Sequence, residues 1–194
     1  METEDQLSHL FSFFGEAFKN QGSKIARKIG NTLLNAKNMP RVTMSPKAPN
    51  NAKFLNTISY DNRELMPLLD NLMYSLHWRP AGFGKLPGDL SQKICVTEFI
   101  GPSGIIKNKE TRIGLLLQSP DVHYPRHWHS AEELYLIISG TATWSVENGV
   151  DTPHPPGNFI HHKSGQVHTM NTTTEPLLAL WGWTGDIDGT SYSI

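Results

Sequence analysis

The stretch HWHSAEE, at residues 127–133, carries a dense group of side chains that can bind a metal ion. Side chains alternate along a β-strand, so the imidazoles of His127 and His129 would lie on one face. Glu133 can return to that face once the chain bends into the next strand, and His168 can complete the group from a neighbouring strand. Three imidazoles and one carboxylate suit one divalent transition metal ion (Fe, Zn, Mn, Co or Ni), with positions left for water or substrate.

The spacing of these residues resembles the first motif of the cupin family. In that motif His-x-His is followed, after three or four residues, by Glu and then, after six more, by Gly. His127, His129, Glu133 and Gly140 have this spacing. The early glycine of the motif is not at its consensus position, but this departure affects no ligand.

The second cupin motif is present with one departure. It consists of Gly, five residues, Pro-x-Gly, two residues and His, and the chain has Gly157 followed by KSGQVH at residues 163–168. Lys163 occupies the proline position, so the turn has to form without proline. The two motifs imply a mainly β cupin, which is a small antiparallel β-barrel or jelly roll, with one metal ion held by the three histidines and the glutamate.

Short β-type runs, broken by Gly, Pro, Asn and Asp, continue this pattern from about residue 94. Two turns stand out, Ser139-Gly140 between strands and Glu147-Asn148-Gly149 at a hairpin tip. Many short strands without intervening helices are typical of an antiparallel sandwich or small barrel. The predicted strands are Ile94–Ile100, Arg112–Gln118, Glu133–Ile138, Thr141–Val146, Asn158–His162, Val167–Asn171 and Leu177–Trp183.

The first part of the chain has a helical pattern instead. Apolar residues recur at helical spacing in three stripes, the third after the predicted cap residues Asp61 and Asn62. A connector rich in Pro and Asn, Asn38–Asn51, should be extended or loose. The stripes contain Leu7, Leu10, Phe11, Phe14 and Phe18; then Ile25, Ile29 and Leu33; then Leu65, Leu68, Leu69, Leu72, Met73 and Leu76.

These patterns divide the chain into an N-terminal helical extension at residues 1–80 and a metal-binding barrel at residues 81–194. The stripes are packing surfaces that either cover the barrel or form a dimer contact. We therefore expect a monomer or a homodimer.

Composition narrows the class of protein. Hydrophobic residues make up 38% of the chain, and no stretch approaches the ~20 apolar residues of a membrane helix. The start METEDQLSHL is not typical of a secretory signal, and the one cysteine, Cys95, fits a reducing compartment. The net charge of −1 is accompanied by no Lys/Arg block. We expect a cytoplasmic protein that binds neither nucleic acid nor membranes.

Aromatic residues surround the predicted ligands. Tyr135 shares the face of Glu133 and should point at the metal, and Tyr124 can reach the same cavity. Trp181 and Trp183 share one face of the last strand. Each alone would more often fill a core, but together they are typical of a cavity whose aromatic faces hold a cationic ligand.

Four further histidines lie close to the ligands in the sequence. His123 is four positions before His127 and could line the mouth of the pocket. His154 lies in a proline-rich turn and should be exposed. His161 and His162 are adjacent, so only one of them can face the barrel interior; both are interpreted as structural or surface residues.

The segment HYPRHWHSAEELY at residues 123–135, together with SGQVH at 164–168 and WGWTGD at 181–186, resembles the cupin-type dimethylsulfoniopropionate lyases. The resemblance covers the chain from about Leu86 onward, and the helical extension is similar to that of the longer members. Its most specific part is the combination of Tyr124, the two metal motifs, Tyr135 and Trp183.

The resemblance implies a β-elimination that splits dimethylsulfoniopropionate, a small zwitterion, into dimethyl sulfide and acrylate. The metal would bind the substrate carboxylate and acidify the adjacent C–H. Tyr135 would remove the proton, and Tyr124 would orient the substrate or share the role of base. Trp183 and Trp181 would face the sulfonium.

Three other functions remain open at this stage. The same ligands serve Fe(II) cupin dioxygenases, which require oxygen. A lyase-like cupin could act on another small carboxylate. A non-catalytic cupin could bind a small molecule without turnover.

Overall fold

Two long helices form at the start of the chain, as the apolar stripes predicted. The structure is a computed structural model, and it describes residues 3–59, 64–70 and 72–194. Helices α1 (Thr3–Gln21) and α2 (Lys24–Ala36) pack against each other. Ser23 caps α2, because its hydroxyl oxygen accepts a hydrogen bond from the backbone N–H of Ala26. Within the described ranges, no helix is both long and apolar enough to cross a membrane.

The third apolar stripe forms two short helices, α3 (Met66–Leu69) and α4 (Leu72–Ser75). Leu69 is buried in the core, as expected for a packing surface. The predicted caps Asp61 and Asn62 lie outside the described residues.

The connector at residues 38–51 is irregular, as predicted for an extended or loose segment. It contains no helix or strand, and a single bridge joins Lys47 to His77. The remaining helical segments are the 3-10 turns Ala52–Thr57 and Gly82–Gly84 and the short helix α5 (Gly88–Lys93).

The described residues form ten strands, numbered in chain order, which make two antiparallel sheets. The six-stranded sheet has the order β1-β2-β3-β10-β5-β8, and the four-stranded sheet has the order β4-β9-β6-β7. This arrangement confirms the predicted cupin barrel with an N-terminal helical segment. The strands are β1 (Arg79–Pro80), β2 (Ile94–Ile100), β3 (Thr111–Gln118), β4 (Val122–His127), β5 (Ala131–Ser139), β6 (Ala142–Val146), β7 (Thr152–His154), β8 (Phe159–His162), β9 (His168–Thr172) and β10 (Leu177–Gly185).

The seven strands predicted with bounds all form, and three more are present, of which only the end of β4 at His127 was expected to lie on a strand. These three, β1, β4 and β7, contain Pro80, Pro125 and Pro153 respectively. Proline counts against a strand because it cannot donate to the ladder, but it is tolerated at sheet edges. Each of the three lies at the edge of its sheet. An edge position is where the missing N–H of proline is tolerated.

The six-stranded sheet is buried on both faces. Its outer face packs aliphatic side chains, among them Leu134 and Leu180, against the helices. Gly182 lies on this face between two tryptophans, and a Cβ there would come within 2.5 Å of the Cδ1 atom of Ile29 on α2. The glycine thus allows the helix to approach closely. The inner face, which lines the barrel, carries Tyr135 and other aromatic residues.

Candidate metal centre

The two sheets bring the four predicted ligands together inside the barrel. His127 ends β4, Glu133 lies on β5 and His168 begins β9. His129 follows β4 and lies outside any strand, so the prediction that both histidines of the first motif share one strand is wrong. The chain leaves β4 after His127, and Trp128 forms an isolated bridge with Ser193. All four ligand side chains are nevertheless buried.

The distances favour a common centre. The Nε2 atom of His129 is 3.1 Å from Oε2 of Glu133, and Nε2 of His168 is 3.6 Å from the same oxygen. Candidate ligand atoms of these three residues all lie within 4.8 Å of one another. The ring of His127 lies against that of His168, with centroids 4.1 Å apart. The structure therefore forms a three-residue group with the fourth predicted ligand directly beside it.

Backbone carbonyls fix the orientation of the three imidazoles. The Nδ1 atoms of His127, His129 and His168 lie 2.8, 2.9 and 2.9 Å from backbone carbonyl oxygens. A carbonyl oxygen only accepts, so each Nδ1 carries the hydrogen and Nε2 is the ring nitrogen that each histidine directs toward the centre. This arrangement is typical of metal-binding histidines, whose second nitrogen is held by an outer partner.

The donor atoms fit a divalent metal ion. Among the described residues, the buried Nε2 of His168 has no hydrogen-bond partner. Ligand atoms about 2.1 Å from one ion at right angles to each other lie about 3 Å apart, and His129 and Glu133 have this separation. Imidazole and carboxylate ligands suit several divalent ions.

The electrostatics hold these groups in their ligand forms. Burial alone would raise the pKa of Glu133, but the neighbouring His129 and His168 outweigh it and lower the pKa to about 2. Burial, reinforced by His168, lowers the pKa of His127 to about 3. Burial likewise lowers the pKa of His168. The carboxylate is therefore ionised at neutral pH, and these two imidazoles are neutral.

Both predicted tyrosines lie in the site. Tyr135 is buried on the inner face of β5, and burial together with the Glu133 carboxylate raises its pKa well above 10. Tyr124 stacks on His127, with ring centroids 4.1 Å apart and planes at 11°. Burial, reinforced by Tyr192, raises the pKa of Tyr124 well above 10.

Sequence reasoning missed a third tyrosine in the site. The hydroxyl of Tyr192 lies 2.6 Å from that of Tyr124, and its ring lies beside Phe83. Tyr192 belongs to the tail at residues 192–194. The tail is held in place, because the backbone of Ser193 pairs with that of Trp128 in both directions. No spacing signal marks Tyr192, since it follows a segment rich in Gly, Asp, Ser and Thr.

The two predicted tryptophans differ in their contacts. The Nε1–H of Trp183 donates to Oε1 of Glu133 over 2.7 Å, and the Trp183 ring lies 4.2 Å from that of His129. Trp181 lines the same pocket, and its Nε1–H has no partner among the described residues. Trp183 thus orients the carboxylate, while Trp181 presents an unpaired donor.

The other histidines are distributed differently from expectation. His123 is exposed and contacts Asn171, so the structure does not bring it to the pocket. His154 was expected to be exposed but is half-buried. His161 is exposed and pairs with Glu132. Its neighbour His162 is fully buried and stacks on His168 with centroids 3.9 Å apart and planes at 9°, so it belongs to the imidazole cluster.

One pocket is lined by these groups. His127, His129, Glu133 and the tyrosines form one part of its lining, and Arg79 and Phe83 form another. Phe83 has a φ of 52°, between two glycines that also have positive φ. Such a backbone is costly for a phenylalanine, and strain of this kind clusters at functional sites.

The barrel and its buried imidazole–carboxylate group define a cupin with a candidate metal centre. Residues 21–179 match the family model of dimethylsulfoniopropionate lyase. The chain therefore belongs to this family.

Individual relatives agree with this assignment. Over 112 residues the chain is 30% identical to the dimethylsulfoniopropionate lyase DddQ of Ruegeria pomeroyi DSS-3, a match that spans 57% of this chain and 56% of the relative. The crystal structure of that DddQ superposes with a TM-score of 0.70 at 22% identity, covering 92% of this chain and 96% of the other. A chain from the crystal structures of the lyases RdDddP and RnDddQII gives a TM-score of 0.76 at 23% identity, covering 100% and 99%. At these identities the two structures show a shared fold.

Proposed function

We propose that this protein is a metal-dependent lyase that cleaves dimethylsulfoniopropionate to dimethyl sulfide and acrylate by β-elimination. Family membership supports the reaction. The observation that carries the proposal is the position of a buried phenol, Tyr135, on the same inner face as the candidate ligand Glu133 and in the same pocket.

His127, His129, Glu133 and His168 would hold the metal ion. When bound there, it would supply a Lewis acid for the substrate carboxylate and a positive charge close to Tyr135. Trp183 would keep the Glu133 carboxylate oriented through its hydrogen bond. The backbone carbonyls bound to the three Nδ1–H groups would keep each Nε2 directed at the centre.

Tyr135 would act as the base through its phenol oxygen. The oxygen takes the proton from the carbon next to the carboxylate, and the C–H electron pair becomes the new C=C bond. The bond from the neighbouring carbon to sulfur breaks, and dimethyl sulfide leaves with that electron pair as a neutral molecule. Burial and Glu133 raise the pKa of Tyr135, so this role requires added positive charge beside the phenol.

The remaining aromatic residues would position the substrate. Tyr124 would orient it or share the role of base, with its hydroxyl fixed by Tyr192. Trp183 and Trp181 would face the sulfonium, since aromatic faces attract cations. Dimethyl sulfide, unlike the sulfonium, has no positive charge, so this attraction ends when the C–S bond breaks.

The direct test is release of dimethyl sulfide by metal-reconstituted protein under anaerobic conditions. Tyr135→Phe should lower kcat by about 10²- to 10⁴-fold, the usual contribution of a general base, with metal content unchanged. Tyr74→Phe, at an exposed tyrosine, is the matched control and should keep full activity.

Two outcomes would contradict the proposal in different ways. Full activity of the metal-loaded Tyr135→Phe variant would show that Tyr135 is not the base. No dimethyl sulfide from native protein with bound metal would exclude the lyase. Turnover of a small carboxylate only in the presence of oxygen would then favour the dioxygenase.

A further inference from the structure

Arg79 provides a cationic group at a part of the pocket distinct from the ligands. It lies on the edge strand β1, and its side chain lines the same pocket as Glu133 and Tyr135. Among the described residues that line this pocket, it is the only lysine or arginine. Its side chain is 27% exposed, so a solute can reach it from solvent.

The charges around Arg79 do not balance. Oε2 of Glu98 is 2.8 Å from a guanidinium nitrogen of Arg112 but 3.3 Å from one of Arg79. The other carboxylate oxygen of Glu98 accepts from the backbone N–H of Ser103. Arg112 also donates through Nε to the carbonyl of Ile187. Glu98 is therefore committed mainly to Arg112, and it compensates the charge of Arg79 only in part.

Most hydrogen-bond donors of Arg79 have no partner in the part of the chain that the structure describes. Its two hydrogen bonds are long, 3.3 Å to Glu98 and 3.4 Å to the carbonyl of the adjacent Pro80. A guanidinium has five N–H donors in a planar fork that matches a carboxylate. The remaining donors are available to an anion in the pocket.

The ring of Phe83 packs against the guanidinium of Arg79. The guanidinium carbons of Arg79 and Arg112 lie 5.3 and 5.2 Å from the ring centroid of Phe83. Phe83 in turn lies 5.4 Å from Trp183. Phe83 has a strained backbone with positive φ. Its ring therefore gives Arg79 a fixed position to pack against.

The strand register separates this cation from the candidate metal centre. Glu133 pairs with Trp183, and Trp183 pairs with Arg112, across neighbouring strands. Strands are about 4.8 Å apart, so the backbones of Glu133 and Arg112 are about 10 Å apart. Arg79 itself lies on β1, four strands from β5 in the same sheet, so the pocket has a part with the candidate ligands and another part with the guanidinium of Arg79.

We propose that Arg79 is a carboxylate-docking residue, which receives the carboxylate of the incoming substrate and of the departing acrylate through its fork of N–H donors. The identity of the substrate rests on the proposed function, whereas the chemistry of the docked group, a small monocarboxylate, does not. Docking precedes and follows the chemical step, so it governs KM and product affinity more than kcat.

Acrylate and its neutral analogue acrylamide provide matched probes. Calorimetry on the metal-loaded protein measures the Kd of each, and initial rates give KM and kcat for dimethylsulfoniopropionate. Arg79→Gln should weaken acrylate binding and raise KM about tenfold or more, as expected for a lost charge-assisted hydrogen bond, while kcat changes less than about threefold. Binding of acrylamide should not respond to the substitution. Lys109→Gln removes one positive charge from an exposed site outside the pocket lining and should leave every value unchanged.

Arg79→Lys covers the case in which Arg79→Gln does not fold. This variant keeps the charge beside Glu98 but loses the planar fork, so acrylate should bind about three- to tenfold more weakly. Acrylate affinity unchanged in the folded Arg79→Gln or Arg79→Lys variant would overturn the docking role. A native protein that binds acrylate through Arg79 but releases no dimethyl sulfide would refute the proposed function and leave the docking residue in place.

Discussion

The two faces of the six-stranded sheet differ in chemistry although both are buried. On β5, Leu134 and Leu136 face the helices, while Glu133 and Tyr135 face the barrel. The outer face is a dry aliphatic surface, and the inner face concentrates aromatic and ionisable groups. Adjacent residues of β5 therefore lie either in the hydrophobic core or in the candidate site. The degree of burial does not show which, because both kinds of residue are buried.

The comparison separates stability from chemistry. Aliphatic side chains on the outer face stabilise the fold by leaving water, at about 25 cal/mol per Å². The inner face buries imidazoles, phenols and a carboxylate, which costs free energy unless partners compensate. Substitutions on the two faces should then affect different measurements, and the following predictions test this, from the largest effect to the smallest.

His129→Ala should abolish the centre and leave the fold intact. Loss of an outer partner of a ligand typically costs ten- to a hundredfold in metal affinity, and loss of a ligand itself should cost more than about a hundredfold. Metal content after dialysis and competition with a chelator measure the affinity, and circular dichroism monitors the fold. Metal affinity within tenfold of native would contradict a role for His129 as a ligand.

Leu180→Ala should have the opposite pattern. Leu180 is fully buried on the outer face, and removing a buried leucine side chain costs about 2–5 kcal/mol. Denaturant unfolding should show this loss, with metal affinity unchanged within about twofold. A matched change in metal affinity would show that the two faces are coupled.

Acid should destabilise the metal-free protein through the inner face. The native pKa of His127 is about 3 and that of His162 about 2, in both cases chiefly through burial, whereas an unfolded histidine titrates near 6.5. As pH falls below about 6.5 the unfolded chain binds protons that the native protein excludes. Stability should be complete above that pH and decrease below it by roughly 1.4 kcal/mol per pH unit for each such histidine.

A histidine variant isolates this effect between pH 6.5 and 4.5. His162→Phe should reduce the dependence of unfolding free energy on pH by the share of one histidine. An unaltered slope in His162→Phe would show that His162 takes up a proton in the native state.

Tyr192→Phe should have the smallest effect. It removes the hydrogen bond to Tyr124 but keeps the ring against Phe83, and one such bond contributes about 0.5–1.5 kcal/mol. A two- to tenfold decrease in kcat/KM for the metal-loaded protein is expected, with Tyr74→Phe as the control. A loss as large as that predicted for Tyr135→Phe would give Tyr192 a direct part in the chemistry.

Much of this architecture could be predicted because the strands and the candidate ligands follow local rules. The cupin spacing located His127, His129, Glu133 and His168, and alternation along β5 placed Tyr135 beside Glu133. The edge strands were missed because each contains a proline. Whether a strand lies at the edge of a sheet is decided by the whole fold. A short segment of sequence does not contain this information.

The rest of the site depends on contacts across long stretches of chain. The sequence pattern does not show which of the adjacent residues His161 and His162 faces the barrel interior. The pairing of β8 with β5 decides this, because His162 lies opposite Glu133. Arg79 reaches the pocket from an edge strand, and Tyr192 reaches Tyr124 from 68 residues away. No spacing rule connects such residues, so their roles emerge only from the folded chain.

The pairing of Ser193 with Trp128 affects the order in which the centre can form during synthesis. The backbone N–H of Trp128 bonds to Ser193, and that of Ser130 bonds to the hydroxyl of Ser191. The ribosome makes residues 128–130 about sixty residues before these partners. A nascent chain can thus assemble most of the barrel while the loop that carries His129 still lacks its partners. The candidate centre should become complete only after residues 191–193 have left the ribosome and can pair with residues 128–130.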